Sequence, residues 1–323
     1  TFSYGTVDRF KPSEGSTSSL AITQTQDTNA PSGFSNSLKI TVTTAETMSG
    51  SKQLAVFHAI EAQNLQQLGY GTSDAQSVTV SFWVKSSVTG AYCLSLYEND
   101  DNRNIGATYT INSANTWEYK TITFPPDTVG VIDNNNGGGL ETYFFLSVGP
   151  DRKTTNNTSW ATWSAARFGY GQVADVAGTT NATWQITGVQ LEVGDTATPF
   201  EHRSYGEELA KCQRYTFVVK GDDNDATGFV GYSETTSAVR FGVRYPVTMR
   251  ASPSFTLSGS CRAQGGTADT ANFSSGLALV HPNNSHDGSC IRVTGTSGAG
   301  AADRGFNLQF KSNGASLTFD AEL

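Results

Sequence analysis

The chain has 323 residues, more than one ordinary domain needs, with 15% charged residues, 33 glycines and a formal net charge of −8. So few charges beside so much Ser, Thr and Asn describe a loop-rich β-protein, because small polar residues favour turns and strand faces over helix interiors. An acidic balance without a long basic run excludes a phosphate-gripping nucleic-acid surface. No apolar run reaches the roughly 18 residues of a membrane helix, and the N-terminal TFSYGTVDRF lacks a leader pattern, so neither a span nor secretion is expected.

In chain order, strict alternation of apolar and polar residues predicts strands over 38–42, 92–97, 117–124, 142–148 and 183–193. The segment 47–70 is ambiguous, with Leu65 and Leu68 pointing to one helical turn after a strand. The sharpest pattern is SVTVSFWVK, where Val78, Val80, Phe82 and Val84 share one face and Ser77, Thr79, Ser81 and Trp83 the other. Turn-rich stretches such as ENDDNRN, FPPDTVG and DNNNGGG punctuate these strands, which is the mark of a sandwich or barrel.

The pattern breaks at SYGEELAKCQR, 204–214, where Ser204 and Glu207 have capping-box spacing and Tyr205, Leu209 and Cys212 fall on one helical face. Some ten residues of helix are not stable alone, so this face is expected to pack on something. Further strands are predicted over 238–245, 254–257, 290–293, 304–310 and 316–323. The organisation expected is therefore all-β: a sandwich over 1–203, a linking helix over 204–214, and a second, smaller β-sandwich over 215–323. Cys93, Cys212, Cys261 and Cys290 have no metal-ligand spacing; free thiols are expected, with a Cys261–Cys290 disulfide as the alternative.

The segments VTVSFWVKSSVTGAYCLSLYE, INSANTWEYKTITFP, NNNGGGLETYFFLSVG and WQITGVQLEVGDTATPFEHRSYGEELAKCQRY resemble a module of bacteriophage tail-fibre and other virion proteins, itself distantly similar to jelly-roll carbohydrate-binding modules. The likeness covers roughly residues 35 to 215. FGVRYPVTMRASPSFTL and IRVTGTSGAGAADRGFNLQF resemble the distal domain that follows it. The resemblance implies a jelly-roll fold, a virion protein made in the bacterial cytoplasm, other virion proteins as partners, and a homotrimer with Tyr205 and Leu209 near the threefold contact. Many jelly-roll modules hold a structural calcium with an Asp in the last strand; ITGVQLEVG has none before Glu192, so no cofactor is expected.

Glycan binding would use aromatic rings stacked on sugar faces. Trp160 and Trp163 of SWATW lie in the most polar surroundings and Trp83 opposite a core row, which makes these three the candidates; Trp117 and Trp184 read as core. The plainer alternative is that all five tryptophans serve packing or subunit contacts. Asp222, Asn224 and Asp225 in DDNDATG form a hard-oxygen cluster, but the Gly and Glu of an EF-hand loop are missing, so an acidic turn is the better reading. Glu98, Asp100, Asp101, Asp133 and Glu141 are unordered by any motif, and His58, His202, His281 and His286 accompany no nucleophile signature, so no enzyme is expected. Arg240 and Arg244 share a strand face with Gly242 and are read as an anion, subunit or solvent contact. The function these readings favour is a tail-fibre or adhesion component that reaches host surface glycans. A head fibre, capsid decoration or tail connector without a ligand is the alternative, and a depolymerase a third.

Overall fold

The structure, a computed structural model, describes residues 9–235, 237–265, 269–273, 277–279, 285–294 and 305–322. The chain forms two compact units, one ending at residue 202 and the other spanning Arg203–Glu322. Both are all-β.

In the first unit the strands are β1 (Lys11–Gly15), β2 (Ala21–Asp27), β3 (Ser37–Thr44), β4 (Gln53–Glu61), β5 (Val78–Ser86), β6 (Gly90–Glu98), β7 (Arg103–Ile111), β8 (Glu118–Phe124), β9 (Gly138–Val148), β10 (Ala161–Thr162) and β11 (Thr183–Val193). They make two antiparallel sheets, β1-β4-β9-β6-β7-β10 and β2-β3-β11-β5-β8, packed face to face as a jelly-roll-type sandwich. The alternation of β5 has the expected outcome: Val78, Val80, Phe82 and Val84 are all fully buried. Phe82 reaches the opposite sheet and meets Tyr109 of β7 and Phe144 of β9 edge-on, each with ring centroids 5.1 Å away. After β4 the chain turns through a 3₁₀ segment, Ala62–Leu68, that buries Leu65 and Leu68 and ends at Gly69 with φ +60°. That is the turn the two leucines predicted. The strands β1, β2, β7 and β10 lay outside the sequence reading, β7 because its first residues belong to the turn-like ENDDNRN.

The β1–β2 connection carries few apolar residues and is held by charge instead. The Glu46 carboxylate accepts the backbone N–H groups of Ser18, Ser19 and Leu20 and pairs with Lys52 at 2.6 Å. The Lys52 hydrogen bond, followed by those backbone donors, holds this carboxyl well below the usual range.

The second unit begins with α2 (Tyr205–Gln213), the single-turn α1 (Ala165–Phe168) belonging to the first unit. Its N-terminus shows the expected capping box, with Ser204 Oγ accepting from the Glu207 N–H and the Glu207 carboxylate accepting from the Ser204 N–H. Within its own chain α2 has no buried residue: Tyr205 is 83% exposed and Leu209 40%. The strands are β12 (Thr216–Gly221), β13 (Ala226–Thr235), β14 (Ala238–Arg244), β15 (Ser254–Ser258), β16 (Cys261–Gly265), β17 (Asp269–Phe273), β18 (Leu277–Leu279), β19 (Gly288–Thr294), β20 (Gly305–Phe310) and β21 (Ala315–Asp320). A three-stranded sheet, β12-β21-β15, covers a seven-stranded one, β17-β16-β20-β13-β14-β19-β18. Phe241, Val243, Leu308 and Phe310 from the larger sheet and Leu317 and Phe319 from the smaller one fill the space between them.

The four cysteines are free thiols. Cys261 on β16 is buried in the core, whereas Cys290 lies on β19, with β20, β13 and β14 between the two strands. The alternative of a Cys261–Cys290 disulfide is excluded by that separation. Because Phe82 ties the two sheets of the first unit, Phe82→Ala is expected to cost about 3–5 kcal/mol of stability. Urea denaturation should show this as a lower midpoint for the first unit's transition.

Candidate functional site

The outer face of the five-stranded sheet is built by the same alternation that fills the core. With Phe82 and Val84 turned inward, Trp83 and Lys85 stand outward on β5. The register sets Tyr119 of β8 on one side of Trp83 and Thr187 of β11 on the other. The Trp83 and Tyr119 rings lie 5.3 Å apart and tilted by 48°. Tyr119, on the edge strand, keeps 45% of its surface exposed. Just before β8, Trp117 lies half-buried beneath Lys85, whose ammonium is 5.1 Å from the ring centroid. Trp117 was expected in the core. It is instead part of this surface, since the strand that follows it runs along the sheet edge.

Asn29 organises the polar side of the face. Its backbone N–H donates to Asp27 Oδ1 at 2.7 Å, an Asx turn that fixes the side chain. Its Oδ1 then accepts from the Trp117 indole at 3.0 Å and from Lys85 Nζ at 2.5 Å, leaving an amide nitrogen without a hydrogen bond among the described residues. Asp27 also pairs with Lys39 at 2.8 Å, and this bond, with the Asn29 N–H, holds its carboxyl below the ordinary range. Burial pushes the Lys85 ammonium down. At the other end of Thr187 the pairing of β11 with β5 slips between Thr187 and Gln190. Gly188 makes that bulge with φ +60°, and the Phe34 ring lies where a Cβ would be, 2.5 Å away. Phe34, Phe200 and His202 then pack together and close this end of the face.

Two of the three predicted tryptophans are elsewhere, and they are not together. Trp160 packs on the main core, edge-on to Tyr70 with centroids 5.7 Å apart, and its indole donates to the Pro125 carbonyl at 2.8 Å. Trp163 covers the outer face of the six-stranded sheet, packed on Tyr97 and on Phe168 of α1 in a small satellite core with Phe145 and Tyr143. A shared Trp160–Trp163 platform is therefore corrected: both rings are occupied by separate packing partners. Trp184 is fully buried, as read from the sequence. What sequence reasoning missed is Tyr119 and Asn29. The WEYKTITF alternation could have placed Tyr119 outward beside Trp83; nothing local could have brought Asn29 to Trp117.

Asp222 Oδ1 accepts the Gly314 N–H at 2.9 Å, Asp225 Oδ2 accepts the Asp222 N–H at 2.9 Å, and Asn224 Oδ1 accepts from Arg262. Among the described residues no group of His, Cys, Asp and Glu is placed to hold a metal ion. Also among them, no helix is long and apolar enough to cross a membrane.

No protein-family model matches this chain, and no curated protein does. Among solved structures it is similar to the enzymatically active domain of a tailspike protein of Bacteriophage CBA120, with a TM-score of 0.32 at 10% identity over 57% of this chain. That match spans only 19% of the tailspike chain. It is also similar to a family 11 carbohydrate-binding module of a Clostridium thermocellum cellulosomal cellulase, with a TM-score of 0.32 at 11% identity over 60% of this chain and 92% of the module. A tandem of N-terminal family 22 carbohydrate-binding modules from Paenibacillus barcinonensis gives 0.29 at 8% identity over 96% and 92%. At such scores, what this chain binds has to be read from its own side chains.

The loop acids are staples rather than an acid–base pair in a cleft. Asp100 and Asp101 accept the N–H groups of Asp133 and Val131 at 2.9 and 2.8 Å, and Asp127 is held by two Arg103 nitrogens at 2.6 and 3.0 Å. Glu98 is fully buried; one oxygen accepts the Asp101 N–H and the other has no partner. Gly130 lies over the group so closely that a Cβ there would come within 2.9 Å of both the Glu98 and Asp127 carboxylates. Glu141, by contrast, stands half-exposed on β9, across from Tyr97 and Ala59. Of the histidines, His58 is held down to about 3 by burial and by Arg9, His202 is packed between Phe34 and Phe200, and His281 lies outside the described residues. His286 accepts the Met249 N–H with its backbone carbonyl.

Burial foremost, then the neighbouring acids, pushes the Glu98 carboxyl up to about 7 from 4.5. A carboxyl raised on folding contributes stability that is complete below its unfolded value and is lost as pH rises through its folded one. Glu98→Gln, which keeps the acceptor for Asp101, is expected to be more stable than the parent above pH 7. The difference should shrink toward pH 4.5, as followed by thermal melts across that range.

Proposed function

We propose that the first unit is a non-catalytic glycan-binding module and that the chain is an adhesion component of a bacteriophage virion, in the tail fibre. The carrying observation is the Trp83–Tyr119 pair on the outer sheet face beside Asn29 and Lys85, where Trp83 is half-buried and Tyr119 keeps 45% of its surface exposed. A large ring held on a rigid strand loses little freedom when a sugar stacks on it, and the amide and ammonium supply the hydrogen bonds that orient hydroxyls. The virion assignment is supported by the tail-fibre resemblance of residues 35 to 215 and by nothing in the face itself. Other virion proteins would be its partners, and the virion its location.

Two variants test the glycan reading. Tyr119→Ala and Trp83→Ala are each expected to weaken binding to host envelope polysaccharide by roughly 1–3 kcal/mol, taking the value of a base stacked on an aromatic side chain. Trp163→Ala should leave it unchanged. If Trp163→Ala abolishes binding and Tyr119→Ala does not, the six-stranded sheet carries the site instead. Wild-type protein that binds no envelope polysaccharide would favour the ligand-free connector.

Homotrimer formation belongs to the same proposal, supported by the exposure of Tyr205 and Leu209 on a helix that buries nothing in its own chain. Light scattering at micromolar concentration should give a trimeric mass, and Leu209→Glu a smaller one. A monomeric parent would remove the trimer from the reading.

A further inference from the structure

We propose that the outer face of the seven-stranded sheet in the second unit is a separate binding site for carboxylate-bearing saccharides, centred on Gly242 between Arg240 and Arg244. The proposal does not depend on glycan binding by the first unit.

Alternation places Arg240, Gly242 and Arg244 of β14 on one side of the strand, with Phe241 and Val243 in the core. Arginines four residues apart on one strand stand roughly 13 Å from each other. The residue between them has no side chain, and no atom lies within 4 Å of where its Cβ would be. Across β13, Tyr232 is 49% exposed and Val230 65%. Tyr232 lies between Arg240 and Gly305, and Val230 pairs with Asn307, so an exposed ring stands one strand from the hollow at Gly242 and an amide two strands away, while Cys290 of β19 pairs with Gly242 itself. Gly305, like Gly242, has open space above it.

The charge on this face opposes that of the chain. Arg240, Arg244, Arg262 and Arg292 project from it, while the net charge of the whole protein is −8. Glu234 is the carboxylate counterpart among the described strand residues. It takes Arg240 at 2.5 Å on one oxygen and Arg292 at 2.6 Å on the other. The Arg240 hydrogen bond foremost, then that of Arg292, holds Glu234 at about 2, so this carboxylate stays charged and fixes both guanidinium groups. Arg262 is turned to Gln309 and Asn224. Arg244 is exposed and has no partner among the described residues, which leaves its planar fork available for a carboxylate.

Arg244 also lines a cavity of about 610 Å³ together with Tyr245, Thr248, Ser285 and Asp287. That volume lies within the range of small-ligand sites. Asp287 accepts from Thr248 Oγ1 at 2.6 Å with one oxygen, and its other oxygen accepts nothing from the described residues. A sugar carboxylate on Arg244 would set the ring's hydroxyls toward Asp287 and Thr248, which line the same cavity. A bare anion would gain nothing from Asp287, whereas a sugar acid carries hydroxyl donors on several adjacent ring carbons beside its carboxylate. That combination of cations with an acceptor is why a carboxylated saccharide is favoured over an acidic protein.

Titration calorimetry on the full chain tests this with polygalacturonate, neutral dextran and polyglutamate as probes. Polygalacturonate is expected to bind at least about tenfold more tightly than either of the others. Arg244→Gln, which removes no hydrogen bond or ion pair among the described residues, should weaken it about tenfold at unchanged melting temperature, and Tyr232→Ala should weaken it without changing the salt dependence. Tyr119→Ala should leave it intact, which separates this site from that of the first unit. Polyglutamate binding as well as polygalacturonate would mean charge alone is recognised and would overturn the proposal, as would undiminished affinity in Arg244→Gln.

Discussion

The edge-on contact of Phe82 with Tyr109 and Phe144 is the constraint on which the first unit rests. It joins the two sheets through rings whose neighbours Val80, Val84 and Trp184 leave no exposed surface. Since successive side chains on a strand alternate, fixing Phe82 inward also fixes Trp83 outward. A slip of one residue would exchange the two, placing an indole and an ammonium in the core and a row of valines in water. Register is therefore specified strongly, and the outer aromatic face inherits its geometry from the interior.

That link explains why some of the molecule was legible in the sequence. The β5 alternation, the capping box at Ser204 and Glu207, and the turn at Leu65 and Leu68 are local patterns, each set by residues within a few positions of one another. Trp160 and Trp163 misled because a polar neighbourhood in sequence says nothing of what the fold brings over it. The segment carrying them packs back on Tyr70 in one case and on Phe168 in the other. Asn29 and Trp117 are 88 positions apart and meet only through the sandwich. No motif orders the acids at 98–133 in the sequence, yet they tie two loops together because the backbone N–H groups there have no ladder partner to use.

The two units present different chemistry on their open sheet faces. The first offers aromatic rings with one amide and a lysine whose pKa burial lowers. The second offers guanidinium groups around glycines. In both, side chains are held by rigid strands and by a carboxylate that pairs with the cations: Asp27 with Lys39, and Glu234 with Arg240 and Arg292. Such pre-ordering lowers the entropy lost when a ligand docks.

The free thiols have a consequence for where such a chain can function. Neither unit is cross-linked, and burial pushes Cys93 up to about 11 and Cys261 up to about 12, so these sulfurs are almost wholly protonated and unreactive near neutral pH. The fold then has the same covalent structure in a reducing compartment as in an oxidising one. Passage between the two requires no oxidation step, no isomerase and no reshuffling, and leaves only the half-buried Cys212 and Cys290 as points that an oxidant can reach.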